Sequence, residues 1–219
     1  MPPKPKHSKD EIIDTAVNII RSDSITAITA QEIAKRHGTS TRPMFTYFST
    51  VDELRTAAYR RAAQIYDSYV ERGLQMMPPY KGYAMEHVKF AAEEPNLFRL
   101  LFMHSDENFG GYTFPDFGGH LDMIRNIIMD HFHLSKEQSD WLHLTLSYHA
   151  HGMASLCACG VMKYDEEKIA SQFGEIFRAL MIYTGVPKDK RTQIIPALGI
   201  EMPGGMEDYL LDFPTGEKG

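Results

Sequence analysis

No stretch of the chain approaches the roughly 18 consecutive apolar residues that a membrane span requires. The opening Met1-Pro-Pro-Lys-Pro-Lys-His7 is positively charged with no apolar segment behind it, so a secretory leader is not expected either. Cysteine is nearly missing: 219 residues contain two, Cys157 and Cys159. Two positions apart, their side chains diverge by about 200° on a helix, which argues against a disulfide between them. Alternating apolar and polar runs of useful length are missing too, which points away from β-architectures and towards an all-α chain. What remains is ordinary for a globular protein, with 43% hydrophobic and 24% charged residues, so wholesale disorder and fibrous repeats are excluded. A cytoplasmic chain of one large or two small domains, without a membrane partner, is the expectation.

A positive excess is also absent overall, the formal net charge being −6. Its distribution is uneven. Residues 1–60 carry nine Lys and Arg (Lys4, Lys6, Lys9, Arg21, Lys35, Arg36, Arg42, Arg55, Arg60) against seven acids, and the remainder carries fourteen against twenty-two. A mildly basic head on an acidic body is the asymmetry expected when only one end meets a polyanion.

Helix-start signals crowd the first sixty residues. Ser8-Lys-Asp-Glu11 reads as a capping box, followed by Ile12, Ile13, Ala16, Val17 and Ile20 at helical spacing, and predicts a helix over 9–21. Thr29-Ala-Gln-Glu32 opens a second, short helix that Gly38 stops as a left-handed C′ residue. Thr39-Ser40-Thr41 offers a cap for a very short third helix with Met44 and Phe45, and Thr50-Val-Asp-Glu53 starts a long fourth helix ending near Gly73. Further helices are predicted over 81–94, 96–104, 118–132, 136–160 (opened by Ser135-Lys-Glu-Gln138) and 165–183, with a loop over 105–116.

Two short helices split by a glycine turn, with another packed across them, form a helix-turn-helix. The stretch from Thr29 to Leu54, with its Ile33-Ala34 pair, Gly38, Tyr47-Phe48 pair and Glu53-Leu54, resembles the signature of the tetracycline-repressor (TetR) family of bacterial transcription regulators, over residues 8–60. The resemblance implies a DNA-binding head over 1–52, a helical ligand-binding and dimerisation domain over 53–185 and an extension of unassigned role over 186–219. It places Thr29 at a phosphate, Ser40, Thr41 and Arg42 at base edges with Arg42 reading guanine, Tyr47 at a phosphate, and Lys4, Lys6 and His7 in an arm along the DNA. Four positions depart from the pattern. Phe45 stands where a Tyr is usual, so the contact there loses its hydroxyl. Val51 replaces a lysine that commonly touches phosphate. Arg42-Pro43 replaces a small residue and a Thr, and because proline disfavours the α conformation of its predecessor, the third helix is predicted to begin at Pro43 with Arg42 extended.

In the body, Glu93-Glu-Pro-Asn-Leu-Phe-Arg-Leu-Leu-Phe102-Met103 and Tyr148-His149-Ala-His151-Gly152 resemble a recurrent C-terminal domain of the same family that carries an aromatic-His-Gly element. Small residues on the penultimate helix (Ala150, Gly152, Ala154, Ser155, Ala158, Gly160) allow close helix approach, and the resemblance implies a four-helix dimer seam from the last two helices. Thirteen Met and twenty-three Phe plus Tyr suggest a pocket for a small apolar or aromatic effector, with Phe102, Met103, Phe114, Phe117, Met123, Tyr148, His149 and Met153 as candidate wall.

Five histidines (His131, His133, His143, His149, His151) fall within 21 residues, the basis of an alternative reading as a metal-dependent protein or enzyme. Their spacing argues against it, since no pair is four apart and pairs two apart face opposite ways on a helix. No catalytic group, metal or cofactor is therefore assigned. The expected function is a ligand-responsive regulator, most simply a repressor, binding a palindromic operator as a homodimer and released by its effector. A helical small-molecule-binding protein with weakened DNA binding is the other alternative, motivated by Val51 and Arg42-Pro43.

Overall fold

The structure is a computed structural model that describes residues 7–103 and 119–185. Nine α-helices and one 3₁₀ turn make up the described residues, among which there is no strand. The expected loop over 105–116 and the extension over 186–219 lie outside them.

Three helices form the head, and a long fourth carries it. In α1 (Lys9–Ser22) the Ser8 hydroxyl accepts from Glu11 N–H while the Glu11 carboxylate accepts from Ser8 N–H, closing the predicted box, and Ile12, Ile13, Ala16, Val17, Ile19 and Ile20 are buried. A 3₁₀ turn (Ile25–Ala27) leads through buried Ile28 into α2 (Ala30–His37). Gly38 at φ 57° ends α2, its N–H and that of Thr39 closing onto Lys35 and Ala34 carbonyls; a Cβ is disfavoured in this left-handed conformation. The next helix, α3, spans Arg42–Tyr47. Its start corrects the prediction for Arg42, which is helical and not an extended lead-in. The Thr41 carbonyl accepts from Phe45 N–H, and Pro43 occupies the first turn, where its missing N–H has no partner to lose. Then α4 (Val51–Leu74) runs for 24 residues, about 36 Å, and crosses the expected 52/53 boundary without a break.

Five further helices form the body: α5 (Pro79–Glu93), α6 (Pro95–Phe102), α7 (Leu121–Phe132), α8 (Lys136–Ala158) and α9 (Glu166–Thr184). Ends shift by up to three residues from prediction: α7 starts three residues late, and Pro79 and Pro95 begin helices that were expected to start two and one residues after them. The central element is α5, buried on nearly every face, with Tyr80, Tyr83, Met85, His87, Val88, Phe90 and Ala91 all inside. It packs on α4 and α8 most extensively, and also on α6, α7 and α9. Beside it, Tyr66 of α4 and Phe98 and Phe102 of α6 meet His87 with ring centroids 5.2–5.8 Å apart, Phe90 of α5 packs on Tyr66, Phe98 and Phe102 at 5.2–6.5 Å, and the Tyr66 hydroxyl lies 3.1 Å from His87 Nδ1.

Two properties of this core are testable. A Cβ built on Gly73 of α4 would lie 2.6 Å from the Gly82 carbonyl oxygen of α5 and 2.8 Å from Tyr83 N. Both obstacles are backbone, so neither can swing aside. Gly73→Ala is expected to cost on the order of 3 kcal/mol in urea unfolding, the upper end of overpacking; an unchanged midpoint would mean that the two helices are not this close. Separately, burial and then the neighbouring His151 push the His87 pKa down from 6.5 to about 3. Native His87 thus stays neutral while the unfolded chain takes up a proton. Its contribution is complete above pH 6.5 and is lost as the pH falls towards 3, by up to about 1.4 kcal/mol per pH unit. Urea midpoints measured from pH 7 to pH 4 should fall, and His87→Asn should flatten the slope.

Candidate nucleic-acid interface and ligand cavity

Helix α3 turns one side inward. Met44 is 1% exposed, and at 100° per residue Arg42 and Thr46 then fall on the opposite side with Phe45 flanking them. All three are exposed, Phe45 by 51%. Ser40 lies exposed in the turn before α3, and Thr41 is its half-buried N-cap with no side-chain capping bond. The turn thus brings Ser40, Thr41, Arg42 and Phe45 together at one end of one short helix. Thr46 joins them and was missed by sequence reasoning; its position two residues past buried Met44 is the signal that could have found it. Thr29 caps α2, accepting from Glu32 N–H at 3.1 Å. Lys4 and Lys6 lie outside the described residues.

Tyr47 has a local partner, its hydroxyl donating to the His7 carbonyl at 3.1 Å. His7 and His37 meet Nδ1 to Nδ1 at 3.1 Å, and His37 Nε2 lies 2.8 Å from the Thr15 hydroxyl, which itself donates to the Glu11 carbonyl at 2.8 Å. The last bond sets the protons of the others. Thr15 must accept, so His37 carries its proton on Nε2 and accepts on Nδ1 from His7. Doubly protonated His37 would point a hydrogen at the His7 N–H. Burial and then the charge of His7 hold the His37 pKa below its usual value, against the pull of Glu11. This network holds His7 against α1, α2 and α3.

The head is tied to the rest of the chain by arginines. Arg61 of α4 pairs with Asp10 at 2.7 Å and with Asp14 of α1. Arg55 donates to the Thr26 and Ile28 carbonyls at 3.2 and 3.0 Å. Arg21 of α1 pairs with Glu94, Nη2 to Oε1 at 2.6 Å, and Asn96 Nδ2 donates to the Arg21 carbonyl at 2.8 Å. Position 51, where a lysine was missed, holds a Val packed partly into the core.

In the body, a cavity of about 160 Å³ opens between α5, α7, α8 and α9. Tyr80, Ala84, Phe132, Leu146, Phe173 and Phe177 form its apolar wall, with Pro78, Lys81, Gly174 and Arg178 completing it. None of the described residues suggested by composition lines it. Phe102 belongs to the aromatic cluster around His87, and Met153 is buried in α8. Tyr148, Met103 and Met123 point outward, exposed by 61%, 43% and 37%. His149 lies closest, half-buried with its ring centroid 5.6 Å from that of Phe173 in an edge-to-face arrangement and its pKa lowered by burial. Phe114 and Phe117 lie outside the described residues. The wall comes from four separate helices, so no local pattern announces it.

The histidine run disperses. His143 is buried beside Tyr80 and Tyr83, His151 packs on His87 and Phe98, His131 is exposed against Phe132, and His133 ends α7 at φ 54°. Among the described residues no group of three or more His, Cys, Asp or Glu is placed to hold a metal ion, and no helix is long and apolar enough to cross a membrane. Both cysteines are free, Cys157 buried and Cys159 exposed.

No protein-family profile matches the sequence, and no characterised protein sequence matches it with significance. Solved structures do resemble it. A TetR-family transcriptional regulator from Streptomyces coelicolor superposes with a TM-score of 0.57 at 18% identity, covering 92% of each chain. A Clostridium perfringens protein proposed to regulate fatty acid metabolism gives 0.55 at 11% identity, over 77% of this chain and 95% of that one. A TetR variant from Acinetobacter baumannii, solved with minocycline, gives 0.51 at 13% identity, over 81% and 96%. The chain has the all-helical fold of TetR-type transcriptional regulators, a helix-turn-helix head continued by one long helix into a helical body.

Proposed function

We propose that the chain is a ligand-responsive, DNA-binding transcriptional repressor that acts as a homodimer in the cytoplasm and carries out no catalysis. The observation that carries this reading is the outward face of α3, where Arg42, Phe45 and Thr46 project from a helix anchored by Met44. A helix of this width fits the major groove, where Arg42 can donate twice to guanine and the exposed Phe45 edge suits a thymine methyl group. The free first-turn N–H groups of α2 beside Thr29 suit a phosphate, and Tyr47, once released from His7, suits another.

The dimer would use the outer faces of α8 and α9. Tyr148, Leu156 and Ile182 are exposed by 61%, 46% and 68%, and Val161 in the α8–α9 turn by 76%. On α8, Tyr148, Gly152 and Leu156 recur every fourth residue and so form one stripe. Such a row of exposed apolar side chains favours a protein contact. Two heads held by one seam bind two half-sites, which accounts for a palindromic operator. The effector would be an apolar or aromatic molecule in the cavity between α5, α7, α8 and α9. Binding there in preference to the DNA-competent arrangement shifts the population away from the operator.

The reading is tested by anisotropy titration of DNA from upstream of the gene against a scrambled duplex, across a salt series. Sequence-preferring binding is expected, and the Thr41→Ala/Arg42→Ala double variant should weaken it about ten- to hundredfold, the worth of a bidentate base contact. Leu156→Arg should leave the helical content intact but yield a monomer by light scattering and abolish operator binding. Equal, salt-labile binding to both duplexes would instead favour a small-molecule-binding protein that does not read DNA.

A further inference from the structure

The body cavity carries a charge asymmetry that an effector described only as apolar does not use. Of the residues lining it, only Lys81 and Arg178 are charged, and both are cations. Neither pairs with a described carboxylate. Lys81 also borders a neighbouring depression with Glu166 and Glu167, but no ion pair forms across it. Arg178 is held at the rim by an unusual neighbour. A Cβ built on Gly174 would meet Arg178 Nη1 at 3.4 Å, so the guanidinium folds back over the bare backbone of its own helix one turn away. Two cations thus flank an otherwise apolar cavity, one from the first turn of α5 and one from α9.

Size narrows the ligand further. A cavity of about 150 Å³ lined by apolar side chains accepts a benzene ring, and this one measures about 160 Å³. Phe132, Phe173 and Phe177 line it from two helices, α7 and α9. We infer that the cavity binds a small apolar carboxylate, its ring or short chain among these phenyl groups and its carboxylate at Lys81 and Arg178. The planar guanidinium offers two parallel donors to such a group and the ammonium a point charge. A neutral amide of the same shape offers one uncharged carbonyl acceptor in place of two anionic oxygens. The inference rests on the reading of this cavity as the effector site and narrows the class of molecule that fills it.

Calorimetry on the full chain decides the matter with two matched pairs, phenylacetate against phenylacetamide and hexanoate against hexanamide. The carboxylate of at least one pair should bind ten times more tightly than its amide or better, and the pair that does so distinguishes ring from chain. Lys81→Met/Arg178→Met alters two rim side chains outside the buried core, so the protein should fold, and it should erase the preference while amide binding persists. Ala84→Phe, which fills the cavity, should abolish binding of acid and amide alike. Equal affinities for acid and amide, or a preference that survives the double rim variant, would overturn the carboxylate assignment and leave the cavity as a neutral effector site. Absence of binding for all four compounds would overturn the assignment as well. Carboxylate binding that leaves operator affinity unchanged would support the site and count instead against its role in releasing DNA.

Discussion

The close crossing of α4 and α5 at Gly73 and Gly82 is the constraint on which the remaining architecture hangs. Backbone meets backbone there, with no side chain between the two helices to take up a displacement. Helix α4 carries the head at its other end, and α5 is the element against which α4, α6, α7, α8 and α9 all pack. A buried helix surrounded in this way has no solvent face on which to slide. A local change at the start of α5 would therefore be felt at the C-terminal end of α4, because packed interiors shift between discrete arrangements and do not deform smoothly.

The connection between head and body has a second strand. Arg21 clasps the Glu94 carboxylate with its Nε and Nη2, while Asn96 holds the Arg21 carbonyl. Exposed ion pairs contribute little to stability, typically about 0–1 kcal/mol, and their importance here is geometric. They fix α1 to the α5–α6 junction independently of α4. The head is thus held at two points, on α4 through Arg61 and Arg55 and on the α5–α6 junction through Arg21. A motion that moves one point relative to the other rotates the head, and such a rotation changes the separation of two heads in a dimer.

Most of the helical frame was legible in the sequence because its signals are local. Ser8 with Glu11 and Ser135 with Gln138 close reciprocal boxes as read. Two other boxes half-close for reasons that lie outside the motif. Glu32 is taken by Arg36 at 2.9 Å, and Glu53 accepts from Ser49 N–H, one residue beyond the Thr50 cap. Arg42 was misread because a pre-proline preference is a bias, and one hydrogen bond at a helix start outweighs it. Helix α5 is buried on nearly every face and so shows no clean period in the sequence. Of the α3 face, Arg42 and Phe45 could be found from the signature, but Thr46 needed the orientation of Met44. The cavity was illegible: counting Met and aromatic residues measures how much soft apolar surface exists, not where four helices leave a gap. Tyr148, a candidate through the aromatic-His-Gly element, is turned to the outside of α8.

The position of the cavity makes it more than a void. Pro78, Tyr80, Lys81 and Ala84 line it from the first turns of α5, the same turns that contain Gly82. A ligand that pulls Lys81 towards its own charge would act within one residue of the backbone contact with Gly73. Arg178 contributes from α9, one of the two helices assigned to the dimer seam, so a single anion would bridge the seam to the crossing. Burial of an apolar body supplies affinity but is indifferent to which of two packings surrounds it. A charge held between groups on two elements is sensitive to their separation, since Coulomb energy varies with distance where apolar contact saturates. On the proposed reading, the apolar wall accounts for binding and the cation pair for the difference in affinity between two arrangements, and only that difference can shift the equilibrium of the heads.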